Sequence, residues 1–456
     1  MYSIYYSNNN FSTTIILSSS DVTPAPEKNI NLIQIWNTTS YNGTFGKIAI
    51  DKYGNIYAAG GAYLDRSNTM GILAKFDSTG HSLWNRTFIT SSNISTILKV
   101  IVDNKDAIYV SLISYNFSDI IHWKIDIMKY DLYGNLLWRT NINDNESIST
   151  IGGSFCLDPN NNNIYIVTIL GLKRVKSNGV LRLTKMDSNG NILWKKNFTV
   201  GNISPESAPF IITGNNGDIF VAHNYMFGEN SSIILKKFDE DGNPMWELTW
   251  GGSKNDFVRD LAVDSEGNIY IAGETESFSQ DGSSDALLLK YTPSQELVWN
   301  VTFGTKSHKD FNYAYGMGLD PDDNAYIVGH LAQEQNYKVP LAEYNSDGVL
   351  EGIFAWNLLD IVFFDLLVPT YGQLYVVGVY LGKCIIIKFE LDSDNDGITD
   401  VNEISSGTDP YSADTDDDGW DDKSDFLPTL NNWYILGSVI LIALLIGGFI
   451  IKKKIK

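Results

Sequence analysis

Residues Asp264 to Gly273 read DSEGNIYIAG, and the wording returns along the chain, as DKYGNIYAAG from Asp51 to Gly60 and as DPDDNAYIVG from Asp320 to Gly329. Aligned on the tyrosine, the phrase recurs at Tyr57, Tyr109, Tyr165, Phe220, Tyr270, Tyr326 and Tyr375, at intervals of 49 to 56 residues. A second phrase follows five of these: KFDSTGHSLW to Trp84, KYDLYGNLLW to Trp138, KMDSNGNILW to Trp194, KFDEDGNPMW to Trp246 and KYTPSQELVW to Trp299. In both phrases short β-branched or aromatic runs flank Asp, Asn and Gly, the residues that tolerate the positive φ of tight turns, so each is a strand-turn-strand signal.

Two such signals give four strands in a unit of about fifty residues, the arithmetic of a β-propeller blade. Runs such as ALLLKY, IILKKF and CIIIKF are nearly continuous apolar strands. They must be covered on both faces, as they are when each blade is sandwiched between two others. The expected fold is all-β: a seven-bladed propeller over residues 31–390. The seventh repeat has no fourth strand of its own. Asn31 to Trp36, NLIQIW, is expected to supply it by pairing near Ile385 to Phe389, which closes the ring and removes two open edges. The sixth repeat departs from the pattern with Gly352 where Trp belongs, and the seventh has Pro369 in place of the turn Asp.

The segment from Thr249 to Thr275, TWGGSKNDFVRDLAVDSEGNIYIAGET, followed by DALLLKYTPSQELVW, resembles the bacterial β-propeller repeat family. That resemblance implies a propeller of the cell envelope or of secreted proteins and no defined reaction. Residues present in every repeat are read as turn and core, because packing demands them everywhere whereas a site needs asymmetry.

The chain of 456 residues carries a formal charge of -21, much of it local: Glu390 to Asp425 holds fourteen acids and one base, Lys423. No basic stripe is present to neutralise phosphates, which argues against nucleic acid as a partner. Cys156 and Cys384, the two cysteines, sit in separate apolar runs and read as buried small hydrophobes.

Within the acidic segment, DSDNDGITDVNE from Asp392 to Glu403 has carboxylates at positions one, three, five, nine and twelve and Gly at six, the spacing of an EF-hand-type calcium loop. Asp392, Asp394, Asp396, Asp400 and Glu403 are expected to ligate Ca2+ with the Ile398 carbonyl. DTDDDGWDDKSD, Asp414 to Asp425, repeats the pattern, with Asp414, Asp416, Asp418, Asp422 and Asp425 around the Trp420 carbonyl. Asp425 reaches less far than a glutamate, so this second site is expected to be the weaker. With GTDP between the loops, the pair resembles the thrombospondin type 3 calcium-repeat family. So many carboxylates repel one another unless a cation neutralises them, so calcium would turn a tether into a stiff spacer.

From Trp433 to Ile451 the chain is WYILGSVILIALLIGGFII, uncharged and followed by KKKIK. Its length suits one membrane span, with aromatic residues at one interface and lysines on the cytoplasmic side. The expected organisation is therefore a leader or disordered segment at 1–30, the propeller at 31–390, a calcium-binding stalk at 391–428 and a transmembrane anchor with a basic tail at 429–456. The propeller would face outward, as the sequons at Asn37, Asn42, Asn85, Asn93, Asn116, Asn145, Asn197, Asn202, Asn230 and Asn300 suit a glycoprotein. Residues 1–20 lack a basic residue and have only a weak apolar stretch, so they do not read as a signal peptide. A span plus basic tail is also the form of a sorting signal that is cut off after export.

No catalytic motif stands out, and the five histidines form no ligand pair and read as turn or surface residues. A propeller works at the mouth of its channel, where Lys309, Tyr313 and Tyr315 are candidate ligand contacts. The expected function is a non-enzymatic surface module that binds an extracellular protein or polysaccharide. The alternatives are an anchored lyase, hydrolase or quinoprotein dehydrogenase, or a purely structural envelope component; the fold alone does not choose.

Overall fold

A computed structural model describes residues 31–65, 67–116, 119–143, 150–170, 177–203, 208–227, 230–279, 283–303, 312–333, 336–356, 361–425 and 427–429. The strands come in fours. The first repeat has β1 (Asn31–Ile50), β2 (Ile56–Tyr63), β3 (Thr69–Phe76) and β4 (Ser82–Phe88), and the second β5 (Ile94–Val102), β6 (Ile108–Asn116), β7 (Asp119–Tyr130) and β8 (Leu136–Asn141). The third has β9 (Thr150–Leu157), β10 (Ile164–Leu170), β11 (Ser177–Met186) and β12 (Ile192–Ile203), and the fourth β13 (Phe210–Thr213), β14 (Ile219–Phe227), β15 (Asn230–Phe238) and β16 (Pro244–Trp250). The fifth has β17 (Asp256–Val263), β18 (Ile269–Thr275), β19 (Asp285–Tyr291) and β20 (Leu297–Phe303), and the sixth β21 (Asn312–Leu319), β22 (Ala325–Gln333), β23 (Asn336–Tyr344) and β24 (Leu350–Trp356). The last repeat has only β25 (Ile361–Thr370), β26 (Gln373–Tyr380) and β27 (Lys383–Asp392), and one helix follows, α1 (Asp400–Ser406).

Within each repeat neighbouring strands pair antiparallel, as in the sheet β17-β18-β19-β20. In the sheet that begins at β25, β27 lies between β26 and β1, and β1 continues to β2, β3 and β4. First strands of successive repeats lie side by side: β5 against β9, β9 against β13, β13 against β17, β17 against β21, and β21 against β25. Second and third strands are buried along their whole length in places, as β18 and β19 are, while β4, β16 and β20 alternate half-buried and exposed residues. The continuous apolar runs are thus the middle strands, covered on both faces.

The repeated residues have local reasons. In the first turn, Asp51 Oδ1 accepts from the backbone N–H groups of Tyr53 and Asn55, and its Oδ2 accepts from the buried Tyr57 hydroxyl at 3.0 Å. Asp103 does the same for Lys105, Ala107 and Tyr109. One carboxylate closes the turn and satisfies a hydroxyl in the core.

The repeated tryptophans pack half-buried against the core, as the sequence suggested, and four of the five are also links between repeats. The indole Nε1 of Trp84 donates to the Leu132 carbonyl at 3.1 Å, that of Trp138 to Ser188 at 3.1 Å, that of Trp246 to Pro293 at 3.2 Å and that of Trp299 to Ser346 at 3.0 Å. Each acceptor is the residue just after the turn Asp, Thr or Asn of the next repeat's second phrase. The lysine that opens the phrase joins in: Lys75, Lys129 and Lys290 donate to the same carbonyls while lying over Tyr57, Tyr109 and Tyr270. The phrase K-x-D-x-x-G-x-x-x-W is therefore at once a hairpin and a fastening.

The chain divides into two compact units, one of residues 35–370 and 374–388, the other of 1–34, 371–373 and 389–456. The apolar stretch from Trp433 to Ile451 lies outside the described residues, and among the described residues no helix is long and apolar enough to cross a membrane. Both cysteines are buried and free, and an apolar environment pushes each thiol up to about 12.

Candidate functional site

In the larger unit, one column of the repeat breaks the pattern. Four residues before the turn position stand Lys47, Lys99, Ser154, Phe210, Asp260, Gly316 and Asp365. These lie on first strands, and the structure brings three of them together. Lys47 Nζ is 3.0 Å from Asp365 Oδ1 and 3.5 Å from Asp260 Oδ2, joining β1 to β17 and β25. Both carboxylates also hold backbone: Asp260 accepts from Leu261 N and Met317 N, and Asp365 from Ile48 N. Burial and the Asp260 charge raise the Asp365 carboxyl above its usual range against the opposing pull of Lys47 and Lys99, and the two carboxylates raise the Lys47 ammonium despite its burial.

The residue just before this column is the extra one in a β-bulge. The register skips Gly46 in β1, Leu98 in β5, Gly153 in β9, Arg259 in β17 and Tyr315 in β21. A bulge re-aims its side chain. Three consecutive repeats place Arg259, Tyr315 and Phe364 in this column, where the first three place Gly, Leu and Gly. The Tyr313 and Tyr315 rings lie 5.8 Å apart at 30°, and Tyr315 and Phe364 lie 5.6 Å apart at 40°, all three rings partly exposed. Arg259, its side chain 38% exposed, donates from Nε and Nη2 to Oε1 of the buried Glu274. Burial, with the Glu274 charge adding, pushes the Tyr313 phenol up to about 12 and raises that of Tyr315, so both remain hydroxyl donors at neutral pH.

Tyr313 and Tyr315 were legible as candidates from their loop-adjacent wording; Lys309 lies outside the described residues. Arg259, Phe364 and the Lys47 triad were missed, although aligning the column before the turn would have isolated them. His223 also differs from expectation: it is fully buried in β14, its Nε2 has no hydrogen-bond partner among the described residues, and burial lowers it to about 4.

In the second unit the acidic loops take closely similar forms. Ligand atoms of Asp392, Asp394 and Asp396 lie within 4.8 Å of one another, as do those of Asp414, Asp416 and Asp418. Gly397 (φ 88°) and Gly419 (φ 91°) make the sharp turns at position six. At position nine, Asp400 accepts from Ser393 N and Oγ, both at 2.7 Å, and Asp422 accepts from Thr415 N at 2.9 Å and Oγ1 at 2.6 Å. The ninth carboxylate thus braces the second residue in each loop. Thr399 caps α1, which carries Glu403. Glu403 is fully buried with neither carboxylate oxygen hydrogen-bonded among the described residues, and burial with the charges of Asp394, Asp396, Asp400 and Asp422 pushes it up to about 8. Burial and the neighbouring Asp396 and Asp394 raise Asp392 to about 7.

Asp425 contributes its charge to the raised Asp416, after desolvation and Asp418. Lys423 ties the loops together, Nζ donating to the Gly397 carbonyl at 3.0 Å and N to Asp396 Oδ2 at 3.2 Å. Trp420 is exposed. A buried carboxylate without donors is what a hard, oxygen-seeking cation would satisfy, so the donor set fits calcium.

Residues 248–278 match the family described as Beta-propeller repeat. An uncharacterized WD repeat-containing protein of Acanthamoeba polyphaga mimivirus is 23% identical over 177 residues, which is 36% of this chain and 12% of that protein, so the match spans about an eighth of the relative's length. Among solved structures, a PL25 ulvan lyase covers 77% of this chain and 95% of its own at 12% identity and a TM-score of 0.49. Sqt1 of Chaetomium thermophilum covers 78% and 97% at 11% identity and a TM-score of 0.45. The matched repeat, the WD-repeat relative and the recurring four-stranded sheets together support a chain built of β-propeller repeats.

Proposed function

We propose that this chain is a membrane-anchored cell-surface β-propeller, seven-bladed and closed by β1 against β27, acting as a non-enzymatic binding or adhesion module on a calcium-stiffened stalk. Its ligand is an extracellular protein or polysaccharide. The observation that carries the reading is the asymmetry of the first strands: Arg259, Tyr315 and Phe364 stand in a column that is Gly, Leu and Gly in the first three blades. Packing explains what every blade shares and does not explain this. Lys47 bridging Asp260 and Asp365 supports a closed ring, because it draws the first blade to the fifth and seventh.

The stalk reading rests on the paired loops, in which Asp392, Asp394, Asp396, Glu403 and the Ile398 carbonyl would hold one Ca2+ and Asp414, Asp416, Asp418, Asp425 and the Trp420 carbonyl the other, with Asp400 and Asp422 alongside. The apolar Trp433–Ile451 stretch and its lysines support the anchor, with the propeller outside the cell. Exposed Asn85 and Asn300, each in an N-x-T sequon one residue after a linking tryptophan, suit a glycosylated ectodomain.

One observation favours the enzyme reading: Asp260, Asp365 and Lys47 converge from three blades. Both carboxylates already hold backbone N–H groups, which favours a structural role. Glycan-array and surface-protein binding by the full chain, with and without calcium, tests the proposal. Binding that persists under chelation is expected, since the stalk only positions the propeller. Absence of any binding, together with turnover of a polysaccharide that a Lys47→Met variant shown to be folded loses, would replace the binding reading with the enzyme one.

A further inference from the structure

We propose that the ligand site is the aromatic ribbon Tyr313–Tyr315–Phe364 with Arg259 at its end, and that it takes a neutral pyranose of a polysaccharide. This rests on the binding-module reading and narrows it. Three rings on two adjacent first strands lie 5.8 and 5.6 Å apart, tilted by 30° and 40°, and form a packed aromatic cluster that is only partly buried. A sugar ring has an apolar C–H face and an equatorial rim of hydroxyls, so it pairs with a surface whose faces are aromatic and whose edges donate and accept. The phenol hydroxyl of Tyr315 supplies such an edge. Arg259 supplies more: Nε and Nη2 are engaged by Glu274, which fixes the guanidinium plane and leaves its other edge to donate.

Charge selects the neutral ligand. Among the described residues the cations Lys47, Lys99 and Arg259 face Asp260, Asp365, Glu274 and Glu276, three against four, and each of Lys47 and Arg259 is already committed to a carboxylate. Among the described residues neither Lys47 nor Arg259 is left uncompensated to draw a uronate or sulfate out of water. A protein ligand would be expected to need a broader patch than three rings and one guanidinium. In the first three repeats the same bulge column holds Gly46, Leu98 and Gly153, two of them without a side chain.

The test uses the full chain in detergent with calcium and two panels of hexasaccharides. The neutral panel is cello-, manno-, xylo- and laminari-oligomers, and the acidic panel is galacturonate and alginate oligomers, with binding measured by calorimetry. Binding to at least one neutral oligomer is expected. Tyr315→Ala and Phe364→Ala should each weaken it at least tenfold, Tyr315→Phe less than about threefold, and Arg259→Met about tenfold. Tyr133→Ala, at an exposed tyrosine of a distant turn, should leave it unchanged. Tyr315→Leu keeps apolar bulk in case the alanine variant unfolds, and it should lose binding as well. Binding of acidic oligomers alone, or neutral binding that survives Tyr315→Leu and Phe364→Ala in folded protein, would overturn the inference. Capture of a surface protein with no oligosaccharide bound would overturn it too while leaving the binding-module reading intact, and no binding of either kind would remove both.

Discussion

If the tryptophan of each repeat fastens it to the next, the glycine it covers should be more sensitive than a glycine of equal backbone geometry elsewhere. Gly348 and Gly267 make the comparison. Both need the left-handed region, with φ of 80° and 87°. A Cβ at Gly348 would lie 2.7 Å from Cδ2 of Trp299, whereas one at Gly267 would meet only Pro293 Cγ at an ordinary 3.6 Å. Alanine at either site carries a left-handed penalty of about 1–2 kcal/mol. Only at Gly348 must the indole also move. That forfeits the Nε1 bond to Ser346, worth about 1 kcal/mol net, and the edge contact with Tyr270, worth about 1 kcal/mol. Gly348→Ala should therefore destabilise by about 3–4 kcal/mol and Gly267→Ala by about 1–2 kcal/mol. Urea titration of the full chain at fixed calcium, followed by fluorescence, measures the difference. In a Trp299→Leu background the excess should vanish, since the two sites then no longer interact. Equal losses for the two glycines, or an excess that persists without Trp299, would refute the fastening.

Three other outcomes are expected. His223 is neutral when folded and lowered to about 4, so its contribution is full above the unfolded value of 6.5 and is lost as pH falls from there to about 4; it amounts to about 3 kcal/mol, and His223→Phe should flatten the stability profile in that window. Lys47→Met leaves Asp260 and Asp365 buried without their cation and should destabilise by about 3–5 kcal/mol, with Lys47→Met/Asp260→Asn/Asp365→Asn recovering part of the loss in the same urea titration. Terbium in place of calcium should be sensitised by Trp420 in the second loop, and Glu403→Gln should remove one of two bound ions by calorimetry while leaving that emission in place.

Much of the fold was readable because a propeller repeats its solutions: the Asp, the glycine, the tyrosine and the lysine recur wherever a turn or a link recurs. The role of the tryptophan was not, since its partner is a backbone carbonyl about fifty residues on, and no side chain marks an acceptor of that kind. The acidic loops were readable because their carboxylates recur at fixed short spacings in sequence. Bracing of Ser393 by Asp400 was not, because the spacing of a ligand and that of a brace are the same. Arg259 and Phe364 belong to a column that varies freely between repeats, and attention to what repeats passes over what does not. Lys47, Asp260 and Asp365 are hundreds of residues apart and become one group only when the first strands meet.

That group also counts. Links from one sheet to the next are indifferent to how many sheets follow, so by themselves they would tolerate a chain lengthened or shortened by a whole unit. Lys47, however, must find two particular acids, one contributed by the fifth unit and one by the last. Duplicating or deleting a unit would carry its ammonium past one of them, so in the closed ring proposed above this ion group would act as a tally of the units.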